Sequence, residues 1–445
     1  MLSGQQKKSK QSLSLTLTPK QSTLVDQIVA KDQAVIIAPT GSGKTTTLLH
    51  VILKRSIRFI VACPPKVINT WQKEIKKWGL HLTITPLVGN PQRRLKLLGT
   101  TPDILVVSLN NLDWLLAQNH GCSGIVVDEL SKAAGRQTRA LKTKKTQSIT
   151  IRYGMTATPV SENFEKLFGM YRIIDQGKAL GTRKDSYMNK YFYALDFKGY
   201  NMQLRQGMDK EIMKLISPIT VSLDYKKHEE LPPKQEHEIV FDLPEKTRQA
   251  YLELKKEMLL ENDTQTAIAS NAAVLTSKLR QLSSGFILDI DKTPLVYDTK
   301  RAEVAAKFIK DHTRILVIYE YDYQREQLAK ALHDTPVGFV YGDGDEAEIS
   351  WFMTGEVDIL IAQKKTLSHG VDGLQNSCSN ILFYQPIWSK DENDQIIGRI
   401  WRQGQTEETN VYYLIAEDTL DDAVLARIED KGRWMNLFME HLKND

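Results

Sequence analysis

The segment AVIIAPTGSGKTTTLLHVIL, residues 34–53, decides the fold of this chain. An apolar run, AVII, comes first and is followed by a turn rich in glycine and then by a helical pattern. A strand, a glycine-rich turn and a helix in this order surround a phosphate with backbone N–H groups. The segment therefore predicts an α/β unit on a parallel sheet, with a phosphate site where the helix begins.

The residue types in the turn indicate which phosphate compound binds. Glycines let the backbone close around phosphate oxygens, the Lys44 ammonium reaches the β and γ phosphates, and the Thr45 hydroxyl is a ligand for Mg²⁺. Ala38 stands where the general pattern has glycine. We therefore expect ATP and Mg²⁺ as cofactors. The residues assigned to cofactor binding are Thr40, Gly41, Ser42, Gly43, Lys44, Thr45 and Thr46.

A pair of acids, Asp128 and Glu129, follows the apolar run GIVV. Parallel strands expose their carboxyl ends at the ligand-binding edge of a sheet. One carboxylate there can hold Mg²⁺ while the next polarises the attacking water, so we assign Asp128 to metal and nucleotide binding and Glu129 to catalysis. Alone, such a pair is more often part of a solvated loop; the phosphate loop upstream favours the functional interpretation.

Short apolar runs alternate with helical patterns over most of the chain. The first series comprises residues 34–39, 58–64, 103–108, 124–129 and 151–158. A second series of the same kind begins near Thr313. Continuous apolar runs of this length are typical of parallel strands that are buried on both faces. The sequence predicts an α/β fold with two doubly wound parallel-sheet lobes and helical insertions between the sheets.

The change of pattern along the chain predicts the domain boundaries. We expect a flexible N-terminal arm at residues 1–16, lobe 1 at 17–224 and lobe 2 at 225–445. Long polar helical patterns predict an insertion in lobe 1 from about 176 and another in lobe 2 at about 240–300.

The second lobe carries an arginine pair in QIIGRIWRQGQ, residues 395–405. Arg399 and Arg402 are three residues apart, a spacing that places both side chains on one face of a helix. Two guanidinium groups so placed can stabilise charge on a γ-phosphoryl group when two lobes close. Alone, an arginine pair is more often a partner in surface salt bridges; beside the other two motifs we assign both residues to catalysis.

Composition restricts the class of protein. The 445 residues include 59 Lys and Arg against 54 Asp and Glu, and the net charge of +5 permits a polyanionic partner. The three cysteines form no CxxC pair, which predicts a reduced, cytosol-like compartment without structural zinc. Because no apolar run is long enough to span a bilayer and the polar start lacks a signal-peptide core, we expect a soluble cytoplasmic monomer with no membrane partner.

These motifs in this order resemble the superfamily 2 helicases, and the residues between them resemble the Swi/Snf-like branch, especially its compact phage members. The resemblance extends from Leu17 to Lys431. It implies two RecA-like lobes, ATP-driven movement along nucleic acid and, for a phage-encoded chain, residence in the host cytoplasm.

The resemblance also implies roles for residues of the first lobe. Gln21, in LTPKQ, matches the glutamine that reads the adenine edge, and Thr156-Ala157-Thr158-Pro159 is similar to the motif that links the ATP site to the track. The segment CPPKVINTWQKEIKKW, residues 63–78, is similar to the motif whose Pro-Pro-Lys turn touches the nucleic-acid backbone. The nucleic-acid contacts implied here are Pro64, Pro65, Lys66 and Ser108.

In the second lobe, SHGVDGLQ at 368–375 resembles a motif at the ribose side of ATP, which assigns Gly370 and Asp372 to the cofactor. The resemblance further implies a catalytic role for Gln395 and a backbone-phosphate contact for Thr366. SHGVDGLQ carries one residue more than the family form around its glycines.

The acidic box reads Asp128-Glu129-Leu130-Ser131, so a serine stands where the family usually has the residue that couples this box to Thr156. We expect hydrolysis to survive, because both acids remain, and the coupling route to differ.

Three tryptophans are expected to pack in the protein interior. Trp71 and Trp78 are seven residues apart on one helical pattern, which is typical of core positions. Trp401 occupies a place where the family often has histidine, and we interpret it as a packing residue.

Six basic residues lie in KAAGRQTRALKTKKTQ, residues 132–147. Composition alone favours a solvated helix and loop. The corresponding family region faces duplex DNA, which makes Lys142, Lys144 and Lys145 candidate phosphate contacts.

The sequence therefore predicts an ATP-dependent DNA helicase or translocase that remodels or unwinds branched DNA, with branched DNA, or duplex DNA with single-stranded regions, as its partner. Two alternatives stay open. One is a duplex translocase that displaces proteins without separating strands. The other is an RNA helicase or an ATP-gated nucleic-acid binding switch.

Overall fold

The structure of the protein is a computed structural model. It describes residues 16–38, 42–134, 141, 146, 148–160, 164–195, 202–222, 231–263, 269–340, 346–367, 371, 373–426 and 428–429. The chain forms two compact units. Unit 1 comprises Met1–Ala38, Gly43–Pro159 and Phe164–Leu223, and unit 2 comprises Pro39–Ser42, Val160–Asn163 and Asp224–Asp445. The predicted arm lies outside the described residues except for Thr16.

Unit 1 is built on a parallel sheet of seven strands. The strands are β1 Gln33–Ile37, β2 Phe59–Cys63, β3 Ile84–Pro86, β4 Ile104–Ser108, β5 Gly124–Asp128, β6 Ile151–Thr156 and β9 Thr220–Ser222. Their order is β3-β4-β2-β5-β6-β1-β9. Two further strands, β7 Phe192–Ala194 and β8 Met202–Leu204, form a separate antiparallel hairpin. Every residue of β2, β4, β5 and β6 is buried, because helices cover both faces of the sheet.

The helices of unit 1 follow the strands in the βαβ manner. They are α1 Pro19–Val29, α2 Lys44–Arg55, α3 Ile68–Lys77, α4 Pro91–Leu98, α5 Leu112–Leu116, α6 Leu130–Ala133, α7 Glu165–Asp175, α8 Lys184–Tyr191 and α9 Met208–Ile216. One apolar cluster joins α1, α2 and α3 to the sheet and includes the fully buried Trp71. The predicted core position of Trp71 is therefore confirmed.

Unit 2 is built on a second parallel sheet, of six strands. The strands are β10 Lys234–Phe241, β13 Ile315–Tyr319, β14 Val337–Val340, β15 Ile359–Gln363, β16 Asn380–Phe383 and β17 Thr409–Ala416. Their order is β10-β17-β16-β13-β15-β14, and β11 Phe286–Leu288 pairs with β12 Pro294–Val296 in an antiparallel hairpin. The helices are α10 Glu245–Asp263, α11 Ala269–Leu282, α12 Lys300–Lys310, α13 Asp322–Ala331, α14 Glu346–Thr354, α15 Lys364–Leu367 and α16 Lys390–Ile397.

The two parallel sheets confirm the predicted α/β class and the predicted strand series. Between about 176 and 300 the chain also contains the short strands β7, β8 and β9 and the strand β10, which the sequence did not predict. The clearest omission is β10, which pairs with β17 over eight residues. It is an edge strand with several exposed polar side chains, so its sequence lacks the continuous apolar run of a central strand.

The three cysteines are buried free thiols. Within the part of the chain that the structure describes, no helix combines the length and the apolar character needed to cross a bilayer.

An ion pair between Arg301 and Asp421 lies at the centre of unit 2, with side chains 1% and 0% exposed. The Arg301 guanidinium also donates to the backbone oxygens of Ser283, Tyr384 and Leu414. Asp421 accepts further bonds from the Gln385 side chain, at 3.0 Å, and from a backbone N–H. Helix α12, the ends of β16 and β17 and the end of α11 are thereby held by one buried polar network.

Replacing Asp421 by Asn should destabilise unit 2 by about 3 kcal/mol, because the Arg301 charge then stays buried without its counter-ion. The midpoint of urea unfolding measures this loss. Asp334→Asn is the matched control, since Asp334 pairs with Lys310 at an exposed site and its loss should leave the midpoint unchanged. Equal midpoints for the two variants would contradict the role given to the buried pair.

Candidate nucleotide site and nucleic-acid interface

The phosphate loop ends at Gly43, directly before α2. Gly43 has φ 78°, a left-handed conformation that favours glycine, and it caps the amino end of α2. The Lys44 ammonium donates to the Ala38 backbone oxygen at 2.9 Å, across the loop. Of the residues assigned to the cofactor, Thr40 and Gly41 lie outside the described residues. The described part has the geometry of an anion site at a helix N-terminus.

Gln21 lies beside this loop. A side-chain carbon added at Gly43 would lie 2.6 Å from the Gln21 Nε2 atom. The Gln21 Oε1 atom accepts from the Thr18 backbone N–H at 3.0 Å, and the Thr18 hydroxyl accepts from the Gln21 backbone N–H, so the two residues form the capping box of α1. The capping box holds the Gln21 amide against the phosphate loop.

Asp128 is the last residue of β5 and is 6% exposed. The Trp71 indole N–H points at its Oδ2 atom, at 3.4 Å. Burial raises the pKa of Asp128 to about 7 and the neighbouring Glu129 adds to the rise, whereas Lys44 and the Trp71 bond oppose it. Lys44 is therefore close enough for its charge to act on Asp128. A bound cation would favour the ionised carboxylate.

Glu129 has a left-handed backbone, with φ 55° and ψ 54°, and stands at the N-cap of α6. A residue with a side chain adopts this region at a cost of about 1–2 kcal/mol, and such outliers concentrate at functional sites. The side chain is half-buried. Asp128 in the strand and Glu129 in the left-handed turn thus have different backbone conformations.

Ser131 meets the Thr156 side chain, although the family's usual residue is absent. The Thr156 hydroxyl donates to the Ser131 hydroxyl at 3.2 Å and accepts from the Thr158 backbone N–H at 3.2 Å. A route from the acidic box to the segment after β6 is therefore present and runs through two hydroxyl groups.

The threonines that begin α2 have different surroundings. Thr45 is half-buried in the first turn of α2. The Thr46 hydroxyl is buried and donates to Glu74 Oε2 at 2.8 Å. This hydrogen bond joins α2 to α3. The oxygen donors Thr45 and Asp128 suit Mg²⁺, which prefers carboxylate, hydroxyl and water oxygens.

The nucleic-acid residues predicted for lobe 1 are only partly described. Pro64 and Pro65 follow β2 directly, and Ser108 ends β4. Because Cys63 pairs with Ser108 in the sheet, the Pro-Pro turn and Ser108 lie side by side at the carboxyl edge. Ser108 is 7% exposed and its hydroxyl accepts from Asn111 at 3.0 Å. The Lys66 side chain, Lys142, Lys144 and Lys145 lie outside what the structure describes.

The arginine pair of unit 2 does not lie on a helix, which corrects the prediction. Helix α16 ends at Ile397 with Gly398 as its C-cap, and Arg399 and Arg402 lie on the turns that follow. Beyond Gly398 the backbone N–H groups of Arg399 and Ile400 donate three residues back, to Ile396 and Ile397, as in turns. Arg399 donates through Nε to the Leu367 backbone oxygen at 3.0 Å and through Nη1 to that of Val371 at 3.4 Å.

The other unit 2 residues assigned from the sequence are buried or outside the described residues. Gln395 is 6% exposed on α16, and Thr366 is 4% exposed on α15. Gly370 and Asp372 are not among the described residues. Arg399 contacts the backbone of Leu367 and of Val371.

Sequence reasoning missed a charged cluster beside α15. Glu320, at the end of β13, pairs with Arg280 at 2.9 Å and with Lys364. Burial alone raises the pKa of Glu320, but Arg280 and Lys364 outweigh it and hold the pKa below its ordinary value. The cluster fixes the start of α15, which carries Thr366. Sequence reasoning also missed the hydrogen bond from Trp71 to Asp128, because the spacing of Trp71 and Trp78 indicates only a core helix.

Comparison with known proteins identifies the family. The family model described as SNF2-related domain matches residues 5–284. The chain belongs to the SNF2-related domain family. This membership confirms the predicted place in the Swi/Snf-like branch of superfamily 2, and the protein is an ATP-dependent enzyme of the helicase and translocase class.

Relatives of this SNF2-related protein differ widely in length. Protein p41 of Acyrthosiphon pisum secondary endosymbiont phage 1 is 26% identical and aligns over 96% of this chain and 99% of its own. Chromodomain-helicase-DNA-binding protein 1-like of Danio rerio is 20% identical over 90% of this chain, which spans only 41% of that protein. The solved Sulfolobus solfataricus SWI2/SNF2 ATPase core in complex with dsDNA aligns with 95% of this chain and 93% of its own, with 18% identity and TM-score 0.44.

Gly43→Ala should weaken binding of ADP-Mg to the SNF2-related protein at least about tenfold, a loss of about 1.4 kcal/mol. The new methyl group displaces Gln21 and strains the phosphate loop. Isothermal titration calorimetry measures the dissociation constant. Gly79→Ala is the matched control, because Gly79 has φ 60° with no atom within 4 Å of the added carbon. This variant therefore introduces the backbone strain without a steric clash. Equal affinities in the two variants would refute the tight contact.

Proposed function

We propose that this protein hydrolyses ATP to move along DNA and uses that movement to remodel or unwind branched DNA. The observation that carries the proposal is the carboxyl edge of the unit 1 sheet, where β1, which leads into the phosphate loop, and β5, which ends at Asp128, both pair with β6. Membership of the SNF2-related family indicates that this edge serves ATP hydrolysis, because a phosphate loop alone occurs in enzymes with many different reactions.

Each side chain at this edge has a proposed task. Lys44 holds the β and γ phosphates, Gln21 holds the base, and the strained turn at Glu129 directs its carboxylate at the attacking water. When bound, Mg²⁺ neutralises phosphate charge, and Thr45 and Asp128 are the residues that would hold it. The Trp71 N–H orients Asp128 and leaves its second oxygen available. The Ser131–Thr156 contact carries the state of this site to Thr158 and beyond.

We propose different roles in catalysis for the two arginines. Arg399 is held by the backbone at Leu367 and Val371, so its proposed role includes keeping the motif with Gly370 and Asp372 in place. Arg402 is the proposed arginine finger, which reaches the γ-phosphoryl group when the lobes close. Gln395, buried on α16, is also a proposed catalytic residue.

The proposal that DNA is the track rests on the family and on the net charge of the chain. The zebrafish relative is named as a helicase and DNA-binding protein, and the net charge of +5 suits a polyanion. The proposed contacts to backbone phosphates are Pro64, Pro65, Lys66, Ser108, Lys142, Lys144, Lys145 and Thr366. Because phosphates carry no sequence information, movement should be independent of sequence and weakened by salt. Branched DNA rests on the resemblance to compact phage helicases and on the alignment with nearly the whole of a phage protein.

Arg402→Ala should lower the DNA-stimulated turnover number for ATP about a thousandfold, the usual value of an arginine finger, and leave the KM for ATP nearly unchanged. A finger acts only in the transition state, whereas ground-state binding uses the phosphate loop. Steady-state ATPase assays with saturating duplex DNA measure both constants. Turnover near the unmodified level would remove Arg402 from the mechanism.

Two comparisons test the proposed substrate. ATPase stimulation is measured with duplex DNA, single-stranded DNA and RNA, and strand displacement is measured with forked, four-way and linear duplex substrates. We expect DNA to stimulate hydrolysis more than RNA and strands to be released from forked and four-way substrates only. ATPase activity without released strands would favour the alternative of a duplex translocase, and stimulation by RNA alone would refute DNA as the track.

A further inference from the structure

The turn that carries the arginines is tied to the segment through which the chain enters unit 2. We name residues 398–404 the arginine turn and residues 231–234 the entry segment. The boundary between the units falls at Leu223 and Asp224, so the entry segment is the first described part of unit 2 after the connection from unit 1. One residue of the arginine turn, Trp401, contacts the entry segment.

Trp401 makes two directed contacts with the entry segment. Its indole N–H donates to the Pro232 backbone oxygen at 3.0 Å. The Lys234 ammonium lies over the Trp401 ring, 5.4 Å from its centroid. A ring that donates at its edge and accepts a cation on its face is fixed in both position and tilt. General packing alone would leave both contacts unexplained.

The other side of the arginine turn is fixed to the body of unit 2. Ile400 is fully buried in an apolar cluster against which Trp401 packs. The Gln405 side chain donates to the backbone oxygens of Cys378 and Ile400, at 3.0 and 3.2 Å. Arg402 lies between these anchors, because the Gln405 backbone N–H donates to its carbonyl oxygen at 3.0 Å and Trp401 precedes it. The position of Trp401 therefore sets the direction in which the Arg402 backbone presents its side chain.

The entry segment is held by few other bonds. The Pro233 backbone oxygen accepts from the Thr409 N–H at 2.9 Å, where β10 begins to pair with β17. Proline has no backbone N–H, so Pro232 and Pro233 offer only their carbonyl oxygens for attachment. Lys234 also acts on α16, because Lys390 and Lys234 oppose the rise that burial causes in the pKa of Asp394. The indole bond to Pro232 and the Lys234 ammonium over the ring thus both link the entry segment to the arginine turn directly.

We propose that Trp401 is a positioning residue that ties the arginine turn, and so Arg402, to the entry segment through Pro232. The entry segment is the first described part of unit 2 that follows residues 223–230 along the chain. The inference rests on the proposed role of Arg402. Trp401 itself contacts neither nucleotide nor DNA in this account.

Trp401→Phe tests the link, because it keeps an aromatic ring for packing and for Lys234 and removes the N–H donor. Losing one such hydrogen bond should lower the DNA-stimulated turnover number about five- to tenfold, with the KM for ATP and the melting temperature nearly unchanged. Trp351→Phe is the matched control, since Trp351 is 43% exposed on α14 in the same unit and its change should leave turnover unaffected.

A double variant distinguishes positioning from other roles. In the Arg402→Ala background, Trp401→Phe should cause no further loss of turnover, because the residue on which it acts is already missing. Additive losses, turnover of Trp401→Phe equal to that of Trp351→Phe, or a matching fall in melting temperature would each overturn the inference. Normal turnover in Arg402→Ala would contradict the proposed role of Arg402 as an arginine finger. Normal turnover in Trp401→Phe, with a loss in Arg402→Ala, would support the arginine finger and contradict the positioning role of Trp401.

Discussion

The parallel pairing of β5, β6 and β1 is the constraint on which the site depends. Asp128 pairs with Met155, and Ile37 pairs with Thr156, so three neighbouring strands end at one edge of the unit 1 sheet. The acidic pair, the hydroxyl of Thr156 and the phosphate loop must therefore meet there. A shift of register by one residue in any of these pairs would move side chains to the opposite face of the sheet and separate the catalytic groups.

Much of the fold could be predicted from the sequence because the central strands are buried on both faces. Runs such as GIVV leave few alternatives, and the strand series in both units was found. The strand β10 could not be found in this way, because an edge strand has fewer apolar neighbours to satisfy. The arginine pair was placed on a helix because the spacing of two residues reports periodicity and not where a helix ends; α16 ends at Ile397, before both arginines.

The candidate site was predicted where chemistry requires particular residue types in sequence, as at Lys44 and Asp128-Glu129. Contacts between distant segments were out of reach. The bond from Trp71 to Asp128, the hydroxyl pair Ser131 and Thr156, and the contact of Trp401 with Pro232 depend on side-chain directions that no local pattern encodes. These contacts have one property in common, since each joins a residue with an assigned chemical role to a structural element that holds it.

ATP-driven movement along duplex DNA is the central claim, and displacement of a third strand tests it most directly. A labelled oligonucleotide bound as a triplex on linear duplex DNA is released when a motor travels through it, whether or not the duplex strands separate. The account predicts release that requires ATP, slows as salt rises and is lost in Glu129→Gln, a variant that keeps the shape of Glu129 but cannot polarise water. DNA-stimulated ATP hydrolysis with no release of the third strand would contradict it.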